Sequence, residues 1–130
     1  MAKQIGMDLG TSSTLIFLKE KGLVMNAPSV VSIDRVTHEV IASGSGAKRM
    51  LGKTPGNIRA LRPLKDGVIT DLEVTSLMIR DFFRKLDMVS LFNRPSVLIS
   101  IPYGVTEVES RAVEDALFEA GAKNGIFPVD

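Results

Sequence analysis

Asp8, Gly10, Thr11, Ser12 and Ser13 lie close together in the stretch Ile5-Gly6-Met7-Asp8-Leu9-Gly10-Thr11-Ser12-Ser13-Thr14. One chemistry suits these types in this order: binding of a magnesium-bound polyphosphate. The Asp8 carboxylate can hold a hydrated magnesium ion that offsets phosphate charge. Gly10 lets the backbone approach phosphate oxygens closely. A turn of small hydroxyl residues can aim its N–H groups at them as an anion nest. An ordinary hairpin with Asp and Gly as turn residues would use the same letters. The surrounding elements must therefore put the turn where a ligand can reach it.

Residues 5–9 read as a short buried strand that delivers Asp8 near its carboxyl end, and residues 15–19 as a second strand. Further apolar clusters at 23–25 and 30–33, with turn residues between them, predict an antiparallel meander. Lys21-Gly22 reads as its second tight turn. Pro28 lacks an N–H donor, so it belongs at a strand start or an edge. Residues 34–66 differ, being richer in Gly, Ser, Lys and Arg. They read as a small insertion, with a strand at Val40-Ile41-Ala42 and one or two helical turns over 47–51, ended by Gly52 and Pro55.

Ile79, Phe82, Phe83 and Leu86 then recur at helical spacing, with Arg80, Asp81, Arg84 and Lys85 on the opposite, polar side. Thr70 with Glu73 offers a capping box for this helix, and Asp71 is a rival cap. Val97-Leu98-Ile99-Ser100-Ile101, ended by Pro102, is expected to be a strand buried on both faces. Thr106 and Glu109 form a capping box for a helix whose apolar face is Val113, Ala116, Leu117 and Ala120. Gly121 is placed to end it, and Ile126-Phe127 would begin one more strand.

The order β-β-β, insertion, α-β-α-β gives an α/β fold with a mixed five-stranded sheet joined by right-handed crossovers. This is the ribonuclease H-like half found in actin-type ATPases. The expected division is 1–33 with 67–130 as a first actin-like subdomain and 34–66 as a small inserted subdomain. In such sheets ligands collect at strand ends near topological switch points, and the carboxyl end of the first strand, with Asp8, is one.

Composition narrows the function classes. With 130 residues, 45% hydrophobic and 24% charged, the chain is the size and make-up of one globular domain. A net charge of +1 supplies no basic field for nucleic acid. There is no cysteine, hence no disulfide framework or thiolate site. No apolar run reaches the ~18–20 residues of a membrane span, and the start leaves no room for a signal peptide, so a cytoplasmic protein is expected. His38 is the only histidine, expected exposed in the insertion. Residues 47–54 superficially resemble a phosphate-binding P-loop, but bulky Lys48, Arg49, Met50 and Leu51 fill it, and a charged surface loop is the better reading. Glu107, Glu109, Glu114 and Asp115 read as a solvated helix face.

Five stretches resemble the MreB-type bacterial actins: Ile5 to Thr11; Asn26-Ala27-Pro28-Ser29-Val30-Val31; Met50-Leu51-Gly52-Lys53-Thr54-Pro55-Gly56-Asn57-Ile58; Arg62-Pro63-Leu64-Lys65-Asp66-Gly67-Val68-Ile69; and 105–113. The first would fit the wider actin, sugar-kinase and heat-shock ATPase superfamily; the second and third are specific to the MreB type. The resemblance implies ATP with Mg2+ as cofactors, self-association into filaments, attachment to the inner face of the cytoplasmic membrane, and cell-wall elongation proteins as partners. It makes Gly10, Thr11, Ser12 and Ser13 the first phosphate-binding turn and places Asp8 near magnesium, through water. Ser12-Ser13 stands where the family usually has Ala-Asn, and small hydroxyls can still contact phosphate. Leu91 and Phe92 match a loop that some members insert into the bilayer.

No catalytic residue is carried over. The family's second phosphate loop, of Asp-x-Gly-Gly type, has no match, and its catalytic glutamate would lie beyond the strand beginning at Ile126. Little or no ATP hydrolysis is expected of this chain alone, and a separately encoded second half would be a further partner. A metal-dependent nuclease and a sugar-kinase-like phosphotransferase are the alternatives on the same half-fold.

Overall fold

The computed structural model describes residues 4–54, 56–66, 68–86, 95–100, 106–122 and 128–129. Three strands open the chain: β1 (Gln4–Leu9), β2 (Ser13–Leu18) and β3 (Gly22–Pro28). Alternation along β1 turns Ile5, Met7 and Leu9 into the core and leaves Gln4 and Asp8 exposed. β1 pairs antiparallel with β2, Met7 opposite Ile16 and Asp8 opposite Leu15. β2 pairs antiparallel with β3 across an irregularity between Ile16 and Phe17.

The meander ends there. Residues 30–33, expected to continue it, instead contribute β4 (Val31–Asp34) to a separate three-stranded sheet. Pro28 has no N–H to donate. The Ser29 N–H is taken by the Ser12 carbonyl, and the Val30 N–H by that of Pro28. The chain is thereby turned out of the first sheet. β5 (Val40–Ser43) and β6 (Ile58–Leu61) flank β4, both antiparallel to it. A short helix, α1 (Ser45–Lys48), lies between them, starting earlier than the 47–51 turns expected. A small hairpin, β7 (Leu64–Lys65) with β8 (Val68–Ile69), follows and was not apparent in the sequence pattern.

The rest returns to the first sheet: α2 (Leu72–Leu86), β9 (Ser96–Ser100), α3 (Glu107–Glu119) and β10 (Pro128–Val129). Its order is β10-β9-β1-β2-β3, with β9 parallel to β1 and β10 parallel to β9. The sheet is thus mixed, as expected for the actin-type half. Pro128 sits on an edge strand of the described sheet, where a missing donor is tolerated.

The main core is one side of this sheet against two helices. Val74, Met78, Ile79, Phe82 and Phe83 of α2 and Val113 and Leu117 of α3 bury with Ile5, Met7, Leu9, Ile16, Val97 and Ile99. β9 is not buried on both faces, since Leu98 is 50% exposed. At the start of α2, Asp71 is the cap: its Oδ1 accepts the Val74 N–H at 3.0 Å. The Thr70 hydroxyl donates elsewhere, to the Pro63 carbonyl.

Asp81, expected on the solvent side of α2, is 6% exposed. The Ser43 hydroxyl of β5 donates to its Oδ2 at 2.5 Å, and Arg84 donates to its Oδ1. Lys85 donates to the Ser43 carbonyl at 2.9 Å. This cluster ties the second sheet to α2.

In α3 the capping box forms, the Glu109 N–H donating to Thr106 Oγ1 at 3.1 Å. The far end closes as a Schellman motif: Gly121 has φ 113°, and the Ala122 N–H reaches the Leu117 carbonyl. Thr106→Ala is expected to lower stability by about 1 kcal/mol, read as a lower urea midpoint at unchanged slope.

Candidate phosphate-binding turn

The turn between β1 and β2 is built from short-range bonds. The Gly10 N–H donates to the Ser13 carbonyl at 3.1 Å, closing the turn. A Cβ added at Gly10 would lie 2.6 Å from the Ser13 carbonyl oxygen, a backbone atom that no side-chain rotation can move away. The closure therefore requires glycine here. It also spends the Gly10 amide, leaving any anion contact to later residues of the turn.

Ser29 braces the turn from beneath. Its hydroxyl donates to the Gly10 carbonyl at 2.6 Å, and its N–H to the Ser12 carbonyl at 2.9 Å. Thr14 Oγ1 lies 2.8 Å from Ser29 Oγ, and both residues are fully buried. Ser29 and Thr14 are positioning residues that the sequence reading missed. The only signal in the sequence was a serine between Pro28 and the apolar pair Val30-Val31; its meeting with Thr14, whose strand partner is Ala27, depends on how the chain turns after β3.

Asp8 stands exposed at the carboxyl end of β1, level with Ser100 at the end of parallel β9. β1 has an antiparallel neighbour on one side and a parallel one on the other, so this is where the sheet changes sense. Thr11 and Ser13 are half-buried and Ser12 is exposed. The structure thus brings Asp8, Gly10, Thr11, Ser12 and Ser13 to one end of the sheet. Among the described residues no group of three or more His, Asp or Glu side chains could hold a metal ion. A single carboxylate suits magnesium, which keeps most of its waters and shares phosphate oxygens.

The other candidates behave differently. Around 47–54 the amides are bonded locally: Met50 to the Ala47 carbonyl, Leu51 to that of Lys48 and Lys53 to that of Met50. Donors bonded into successive turns cannot cradle phosphate. His38 is exposed, and its Nδ1 lies 2.6 Å from Glu73 Oε1 on α2. Leu91 and Phe92 lie outside the described residues. No described helix is long and apolar enough to cross a membrane.

Comparison with known proteins gives consistent results. A family model described as MreB/Mbl protein matches residues 2–127. The cell shape-determining protein Mbl of Bacillus cereus is 52% identical over 122 residues, covering 94% of this chain and 37% of the relative. The chain thus spans under half the length of the curated relatives it matches. The crystal structure of MreB5 of Spiroplasma citri bound to ADP superposes with a TM-score of 0.79 at 36% identity, over 98% of this chain and 38% of that one. The same protein bound to AMPPNP gives 0.78. The MamK double helical filament, 16% identical, shares the fold with a TM-score of 0.75 over 98% of this chain and 41% of that one. By sequence over nearly its whole length and by the fold it shares with MreB5, this chain is a member of the MreB/Mbl family of bacterial actins.

Proposed function

We propose that this chain supplies one wall of the nucleotide site of an MreB-type filament protein acting in cell-shape determination. Thr11, Ser12 and Ser13 contact the phosphates of ATP or ADP, Gly10 permits their close approach, and Asp8 holds Mg2+ through water. The observation that carries this reading is the Gly10 closure, braced by Ser29 beside an exposed Asp8. ADP and AMPPNP in the related Spiroplasma protein support it. Bound magnesium would offset charge on the phosphates; the residues here bind and orient them. Residues 1–33 and 67–130 act as the first actin-like subdomain and 34–66 as its small insertion.

The same reading extends to filaments, cell-wall elongation partners and the inner membrane face. Leu91 and Phe92 would each contribute about 1.5–3 kcal/mol if buried in lipid. That is marginal for one subunit, and a filament multiplies it through avidity.

Titration of the chain with ADP, with magnesium and with a chelator, tests the site. Magnesium-dependent binding is expected, weakened at least tenfold by Asp8→Ala. Binding that ignores both magnesium and Asp8→Ala would refute the assignment.

A further inference from the structure

Asp8 has two neighbours across the sheet, Leu15 on antiparallel β2 and Ser100 on parallel β9. Residues paired in register share a face of the sheet, about 4.8 Å apart. Met7, Leu9, Val97 and Ile99 point into the core, so alternation turns Asp8 and Ser100 to the opposite face. Asn26, the next polar residue in this row, pairs with Leu15 and lies two strand spacings, about 10 Å, from Asp8. Of the two cross-strand neighbours of Asp8, Ser100 alone is polar.

The fold does not account for a serine here. It is the one polar residue in the run 97–101. Strands favour β-branched and aromatic side chains. Nor does exposure on this face call for a hydroxyl, since Leu98, two residues earlier, is 50% exposed and apolar. Ser100 is half-buried and lies at the sheet end that carries the β1–β2 turn.

We infer that Ser100 is a positioning residue for the metal: its hydroxyl oxygen accepts a hydrogen bond from a water of the magnesium ion that Asp8 holds. The inference rests on the proposed phosphate site and adds a second protein group to it. Magnesium bound by one carboxylate and phosphate oxygens keeps several waters. Those waters donate hydrogen bonds and need acceptors. On the β2 side of Asp8, Leu15 offers none; on the β9 side, Ser100 does. Partners of this outer kind orient a metal site without touching the ion. The small side chain also leaves room for the hydration shell, which the bulk of a leucine would fill.

Titration of the chain with magnesium at fixed ADP, and with ADP in chelator, reads this role. Ser100→Ala should raise the magnesium needed for half-maximal ADP binding about three- to tenfold, the size of one lost hydrogen bond. ADP affinity in chelator and the urea midpoint should stay unchanged. Ser100→Thr keeps the hydroxyl and should restore the magnesium requirement. In an Asp8→Ala background, Ser100→Ala should add nothing, because the ion is no longer held there. An equal loss of ADP affinity with and without magnesium would overturn the inference. So would a threonine variant no better than the alanine one, or an undiminished effect in the Asp8→Ala background. An unchanged requirement in Ser100→Ala, with Asp8→Ala still raising it, would overturn the role of Ser100 and leave the phosphate-site reading standing. Binding that ignores magnesium in the unsubstituted chain would overturn both.

Discussion

Gly10→Ala is expected to lower stability by about 2–4 kcal/mol and to weaken magnesium–ADP binding at least tenfold. The new Cβ would fall 2.6 Å from the Ser13 carbonyl oxygen. Relief requires the backbone to open. Opening sacrifices the Gly10 N–H bond to Ser13 and displaces the Gly10 carbonyl from the Ser29 hydroxyl. Overpacking alone costs about 1–3 kcal/mol, and each hydrogen bond lost contributes about 1 kcal/mol more. The Ser29 hydroxyl is buried, so water cannot replace the lost acceptor and only Thr14 Oγ1 remains beside it. Urea unfolding and an ADP titration measure the two effects separately. Unchanged stability would show that the turn is not closed as described. Lost stability with unchanged ADP affinity would separate the turn from the phosphates.

Asp81→Ala is expected to cost about 2–3 kcal/mol. It strands the buried Ser43 hydroxyl and cuts the tie between the second sheet and α2. The cost stays below that of a fully buried ion pair, because the Arg84 side chain is 76% exposed and that of Lys85 43%, and both return to water. Burial, the largest single influence on this carboxyl, pushes its pKa up. The Ser43 hydroxyl, the hydrogen bond and charge of Arg84, and the charge of Lys85 together outweigh it, and the pKa lies below the ordinary 3.8. Between the lowered value and the ordinary one, the unfolded chain binds more protons than the folded one. The stabilisation is therefore complete above about pH 4 and is lost as pH falls through the lowered pKa. Asp81→Asn keeps an acceptor for Ser43 and removes this titration. Its stability should fall less steeply below pH 4 than that of the unsubstituted chain. Equal slopes would contradict the pairing.

Much of this was legible in the sequence. β1, α2 and α3 each carry one dominant period, and packing largely followed it. The unbroken apolar runs of β2 and β9 announced strands without showing that Phe17 and Leu98 would face outward. The capping box at Thr106 and Glu109 was legible because its spacing is set by local geometry. The fate of 30–33 was not, because an apolar run states that a strand is buried without stating in which sheet. Residues 58–69 concealed β6, β7 and β8, because Arg59, Arg62, Pro63, Lys65 and Asp66 interrupt any alternation. Asp81 deceived for a similar reason. It borders Phe82 on the helix, and only the approach of β5 with Ser43 decides that its carboxylate is covered. In the candidate site, Asp8 to Ser13 were visible as types in order. Ser29 was not, because it acts on Gly10 from a strand end that is remote in sequence.

The central claim is that the residues after β1 hold nucleotide phosphates. Backbone amide spectra of isotope-labelled chain, titrated with magnesium–ADP, test it residue by residue. The largest shifts should fall on Thr11, Ser12 and Ser13, with smaller ones near Asp8 and none at 48–53. Silence at the turn up to millimolar nucleotide, or the largest shifts at 48–53, would contradict it.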